Sequence, residues 1–233
     1  NQVTSLGPLA SLPSLAIVFL GNNPISDYSV LTQIQNLRYL SAYDSNLTDL
    51  TIVSGLNQLE ELSLDSNQIT DLTPLASFSN LWRLDVGWNS VSAGFTELSQ
   101  LTNLENLSIP GNGISDISFV STLVKLNDLN LDENNISDLT PLSGLAGLNF
   151  LRVGGNPITD LSSIGGLINL RLLGIDNTSI SDLSPVSSLI NLEDFEARGS
   201  SLTDITFLAN LNRLGRLDLE NNSISDISVL GGS

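Results

Sequence analysis

Leu15, Leu37, Leu59, Leu81, Leu104, Leu126, Leu148, Leu170, Leu192 and Leu214 follow one another at intervals of 22 residues, with a single interval of 23 between Leu81 and Leu104. A chain whose apolar pattern returns on so regular a beat cannot wrap its segments around one common centre. Each unit is too short to bury its own apolar face and must stack on the next. Ten repeats start in the chain after an incomplete leading turn, and they read approximately L-x-x-L-x-L-x-x-N-x-I-x-D-L-x-P-L-x-x-L-x-x, as in "LNDLNLDENNISDLTPLSGLAG" from Leu126.

The L-x-L alternation is that of a short strand with leucines inward and the x residues outward. The later leucines have the spacing of a 3₁₀-like turn. This is the leucine-rich repeat pattern. It predicts a right-handed solenoid, with a parallel sheet on the concave face, short 3₁₀ or extended returns on the convex face, and residues 1–233 forming one solenoid block.

Asn23, Asn67, Asn89, Asn112, Asn134, Asn156 and Asn222 occupy the ninth position, where the chain leaves the strand and its backbone groups need partners; Ser45, Thr178 and Ser200 fill the same slot. Asp27, Asp49, Asp71, Asp116, Asp138, Asp160, Asp182, Asp204 and Asp226 stand at position thirteen, where a carboxylate caps the first amides of the return, with Pro74, Pro141 and Pro185 accommodated in its first turn. An acid that recurs in this way reads as scaffold and not as a catalytic group. The repeat from Leu81 departs from the pattern: Ala93 and Gly94 replace the Asp-Leu pair and one residue is added. A bulged or more helical convex turn is expected there, with a local kink or ligand notch as the alternative.

Composition removes several functions. A net charge of -17 repels a phosphate backbone and an anionic membrane surface. With no Cys and no His, thiol nucleophiles, imidazole bases and most transition-metal sites are excluded, and no cofactor is implied. No apolar run approaches the roughly 18 residues that span a bilayer. Calcium at Asp132 with Glu133, or at Asp194 with Glu196, would lack the converging oxygens that a tight site needs.

The phrase NxIxDLxPLxxL resembles the internalin-like leucine-rich repeats of bacterial surface proteins, over essentially all of residues 1–233. A phosphatase-regulatory subunit is similar in repeat length but usually lacks the D-L-x-P-L phrase. The internalin resemblance implies a non-catalytic adhesion platform outside the cell, which engages a host or other partner protein through the concave face and its edges. Asn1 falls in an incomplete turn and "SVLGGS" stops short of the next leucine. The chain is therefore expected to be a block of a longer protein, with signal and anchor outside it.

Function is sought in the outward-facing positions. Most of the arginines there have acids in the adjoining repeat column: Arg38 beside Glu60, Arg83 beside Glu61, Arg171 beside Glu193, Arg198 between Asp176 and Glu220, and Arg216 beside Asp194. Arg152 has only Asn130 and Gly174 in its column and reads as unpaired, flanked by Phe150 and Leu172. Near the start Ile17, Phe19, Tyr39 and Tyr43 face outward, with Trp82 and Trp88 two repeats on. Exposed aromatics and an unpaired arginine are the composition of binding hot spots. The candidate partner-binding residues are Phe19, Tyr39, Tyr43, Trp82, Trp88, Phe150, Arg152 and Leu172, and a protein-binding module is the leading reading. A self-associating spacer is the alternative, and a glycosidase built on a carboxylate pair such as Glu193 and Glu196 is remote.

Overall fold

A computed structural model describes residues 1–50, 53 and 55–231. The chain divides into two compact units, residues 1–112 and 113–233. The first contains strands β1 (Ile17–Phe19), β2 (Tyr39–Ser41), β3 (Glu61–Ser63), β4 (Arg83–Asp85) and β5 (Asn106–Ser108). The second contains β6 (Asp128–Asn130), β7 (Phe150–Arg152), β8 (Leu172–Gly174), β9 (Asp194–Glu196) and β10 (Arg216–Asp218). Within each unit the strands pair in parallel and in chain order, as the period requires: Leu40 lies against Leu62 and Leu62 against Leu84, while in the second unit Leu151 lies against Leu173 and Leu173 against Phe195. This is the fold of a leucine-rich repeat solenoid.

β1 to β9 bury their middle residue and leave the first and third on the outer face, with β8 buried at all three positions, while in β10 the middle Leu217 is half-buried. The returns are 3₁₀ turns, such as Thr73–Ser77 and Ser184–Ser188, with Pro in the first turn and a buried Leu75 or Val186 pointing inward. Phe195 replaces a leucine in the core and meets Phe207 edge-to-face, with centroids 5.7 Å apart.

The ninth-position asparagines satisfy the turn that follows each strand. Asn156 is typical: its Oδ1 accepts from the Ile136 N–H of the preceding repeat at 2.9 Å, while its amide donates to the carbonyls of Leu131 and Val153 at 2.9 and 3.0 Å. One side chain thus ties its own turn to the turn before it. Thr178 and Ser200 donate to the Ile175 carbonyl in the same role, at 2.7 and 2.8 Å.

The position-thirteen aspartates act one residue earlier than a strict N-cap. Asp27, Asp71, Asp116, Asp138, Asp160, Asp182, Asp204 and Asp226 each accept the backbone N–H two residues on, at 2.7–3.0 Å, which places the bond on the first residue of the turn. The return after Asp49 runs through residues 51, 52 and 54, which lie outside the described residues.

The irregular repeat is a more helical turn. Phe95–Leu98 is a short α-helix that starts at Gly94, whose φ is +90°, and a Cβ there would run into the backbone nitrogen of Thr73. Glycine is required by both backbone angle and close approach.

Two regularities are absent from the sequence reading. Asn36, Asn80, Asn103, Asn169 and Asn191, the last residues of their repeats, form a second ladder by donating to the carbonyls of Pro13, Asn57, Ser79, Ala146 and Ile168 at 2.8–2.9 Å. The residue just before the ninth position is left-handed in every repeat: Asn22, Asp44, Ser66, Trp88, Gly111, Glu133, Gly155, Asn177, Gly199 and Asn221 all have positive φ.

Candidate functional site: the strand faces

On the first unit the outer face is apolar and aromatic at its start. Phe19 is 77% exposed at the end of β1, Tyr43 is 44% exposed and Trp88 is 54% exposed, with Ile17 exposed beside them. None of these side chains is needed to fill the core, which Val18, Leu20, Leu40 and Leu62 already close. Tyr43 lies over Gly21 of the preceding repeat, and Trp88 lies over Gly111 of the following one; a Cβ at either glycine would strike the ring. Trp88 also holds a φ of +52°, a conformation that bulky side chains rarely adopt. Its indole is thereby fixed on the edge of the sheet. Tyr39 and Trp82 are half-buried, and the Tyr39 hydroxyl lies 3.3 Å from Glu60. Desolvation, together with Glu60, holds that phenol above its usual range.

On the second unit the arginines form a chain of ion pairs. Arg171 holds Glu193 at 2.7 Å, and Arg198 holds Asp218 at 2.7 Å and Glu220 at 3.2 Å. Arg216 holds Asp194 at 3.0 Å and also engages Glu196. Asp176 takes the backbone N–H of Arg198 instead of its guanidinium.

Four details differ from expectation. Arg152 is not free: Gly174 has no side chain to fill the column, so the guanidinium reaches across that strand to Glu196 at 3.2 Å. Leu172 faces outward but is only 7% exposed, because its register neighbours are Phe150 and an Asp194 clamped by Arg216, and these leave it covered. Phe150 is half-buried. Conversely, Arg83 forms no ion pair among the described residues, although Glu61 is its register neighbour. The unpaired arginine of the strand faces is Arg83, not Arg152.

The carboxylates proposed for hydrolysis are already committed. Glu193 is drawn below its usual range by its bond to Arg171, and Glu196 is shared by Arg152 and Arg216. The acid displaced upward is Asp132, raised to about 6 by burial and by Asp176 and Glu196 nearby, against the opposing Gly154 N–H and Arg152. Asp85 is raised too, chiefly by burial.

The sequence reading also missed an apolar edge on the second unit. Val124, Ala146, Ile168 and Ile190 are exposed at position twenty-one of four successive repeats. The signal was a column of apolar residues outside the inward pattern.

A family model described as leucine-rich repeats in two copies matches residues 35–77 and 102–144. Among solved structures, an internalin (inlF) from Listeria monocytogenes is 29% identical with a TM-score of 0.81, over 99% of this chain and 75% of that one. An internalin C2 (inlC2) from Listeria monocytogenes is 32% identical with a TM-score of 0.62, over 88% of this chain and 79% of that one. The functional domain of InlJ from Listeria monocytogenes, which includes a cysteine ladder, shares the fold at 24% identity and a TM-score of 0.75, over 97% of this chain and 53% of that one. The ladders here are of asparagine, since this chain has no Cys. No curated protein sequence matches.

Proposed function

This chain belongs to the internalin-like family of bacterial leucine-rich repeat proteins, a protein-interaction scaffold, and on that premise we propose that it docks a partner protein on the concave strand face of its first four repeats. Adhesion at or outside the bacterial surface is the setting this reading implies. The observation that carries it is the set of exposed aromatics, Phe19, Tyr43 and Trp88 with the half-buried Tyr39 and Trp82, at positions where the repeat needs no apolar residue. Large rigid side chains that become desolvated on contact supply most of the energy of protein interfaces. Phe150 and Arg152 play a smaller part, because Leu172 beside them is covered and Arg152 is already held by Glu196.

Trp88→Ala and Tyr43→Ala are each expected to weaken binding of the isolated partner by on the order of 2 kcal/mol or more. Titration calorimetry across an alanine scan of both units, with circular dichroism as the folding control, checks this. Indifference at the aromatics together with losses on the convex side would overturn it.

A further inference from the structure

The strand face of the first unit holds a cavity of about 200 Å3 lined by Phe19, Tyr39, Ser41, Glu61, Ser63 and Arg83. It exists because two small residues interrupt a column of larger ones: Phe19, Ser41, Ser63 and Asp85 follow one another in register, so the serines form a floor between a ring and a carboxylate. Tyr39, Glu61 and Arg83 form the neighbouring row.

The lining selects its occupant. Glu60, in the same repeat, is satisfied by Arg38 at 2.7 Å and by the Tyr39 hydroxyl. The Glu61 carboxylate has no hydrogen bond or ion pair among the described residues, while its charge is felt by Tyr39. Asp65 and Asp85 add negative charge beside Ser63; among the described residues the Asp65 carboxylate takes only the hydroxyls of Ser63, at 3.1 Å, and Ser66. Arg83 opposes them and holds no ion pair among the described residues, while Arg38, whose charge also reaches Tyr39, is engaged by Glu60. The second unit is built differently, since Arg152, Arg171, Arg198 and Arg216 each hold a carboxylate there. An aromatic wall next to an uncompensated carboxylate attracts a cation over the ring face, and an aliphatic stem fits a floor of small residues.

We propose that this cavity receives a basic side chain, lysine or arginine, of the partner protein, its stem lying over Ser41 and Ser63, its charge between the Phe19 and Tyr39 rings and the Glu61 carboxylate. The proposal rests on the docking face described above and names the chemistry that face selects.

The test uses three synthetic peptides, acetyl-Ser-Leu-Xaa-Leu-Ser-amide, in which Xaa is lysine, norleucine or glutamate. Each is titrated into the full chain labelled with nitrogen-15, following the backbone amides of Ser41, Glu61 and Ser63. The lysine peptide shifts these amides; norleucine binds about fivefold more weakly and glutamate more weakly still. Glu61→Gln weakens the lysine peptide about fivefold, and Arg83→Gln, which removes the competing cation, tightens it about two- to threefold. Equal binding of the norleucine or glutamate peptide, weakening by Arg83→Gln, or no shift at these amides up to about 10 mM lysine peptide overturns the proposal. If Trp88→Ala abolishes binding of the partner while Glu61→Gln and Arg83→Gln leave it unchanged, the docking face stands and the basic anchor falls.

Discussion

Asp132 and Asp138 belong to the same repeat and are pushed in opposite directions. Asp138 is exposed, and the hydroxyl and N–H of Thr140 hold its carboxyl below the usual range. Its stabilising contribution is present above its ordinary value of 3.8 and is lost as the pH falls through the lowered one. Asp138→Ala is therefore expected to lower the melting midpoint by roughly 2–4 °C at neutral pH, to leave partner binding unchanged, and to converge with the wild type in strong acid. Asp132 behaves oppositely. Its carboxyl is raised to about 6, so its contribution is present below 3.8 and is lost as the pH rises through about 6. Asp132→Asn keeps an Oδ1 for the Gly154 N–H, a 2.6 Å bond, and removes the charge. The variant should be more stable than the wild type above pH 7, by on the order of 1 kcal/mol after allowance for solvent screening, with the gain vanishing towards pH 4. Urea melts of the two proteins across that range check the sign.

At the scale of the repeat, a side chain acts through the turn it shapes. Gly94 starts the α-helix that replaces a 3₁₀ turn, with φ +90° and the backbone of Leu72 and Thr73 where a Cβ would sit. Gly94→Ala combines backbone strain with a collision that no side-chain rotation relieves, and is expected to cost about 2 kcal/mol or more in chemical denaturation. Gly144→Ala, at a site with no atom within 4 Å of the added Cβ, is the neutral control. The strand register, the asparagine ladder and the aspartate turns were legible in the sequence because each uses one residue type at a fixed position. The left-handed column was not, because Trp88, Glu133 and Gly155 share a backbone angle and no side-chain chemistry. The Arg152–Glu196 pair was hidden for a related reason. Column reasoning compares nearest repeats, and this pair spans two because Gly174 leaves the intervening site open. Exposure of single residues was the least legible quantity, as Leu172 shows, since it depends on which neighbours are pinned by arginine.

For the molecule as a whole, the charge of -17 is distributed unevenly in its consequences. In the second unit the strand-face arginines neutralise carboxylates locally, and such exposed, solvent-screened pairs contribute little to stability. In the first unit Glu61, Asp65 and Asp85 lie beside Arg83, which holds no ion pair among the described residues, next to the exposed aromatics. Long-range attraction of a partner is governed by the total field, whereas the lifetime of the complex is governed by groups desolvated at the contact. The two can be separated kinetically. Glu220 is 67% exposed at its side chain and pairs with Arg198 at 3.2 Å, far along the sequence from the aromatic cluster. Glu220→Lys is expected to change the association rate constant for the partner by about two- to threefold and to reduce its dependence on salt, while leaving the dissociation rate unchanged. Trp88→Ala should do the reverse, accelerating dissociation with little effect on association. Surface plasmon resonance at several ionic strengths reads both constants. A large dissociation effect from Glu220→Lys would place the contact on the second unit, and would move the docking face away from the aromatics of the first.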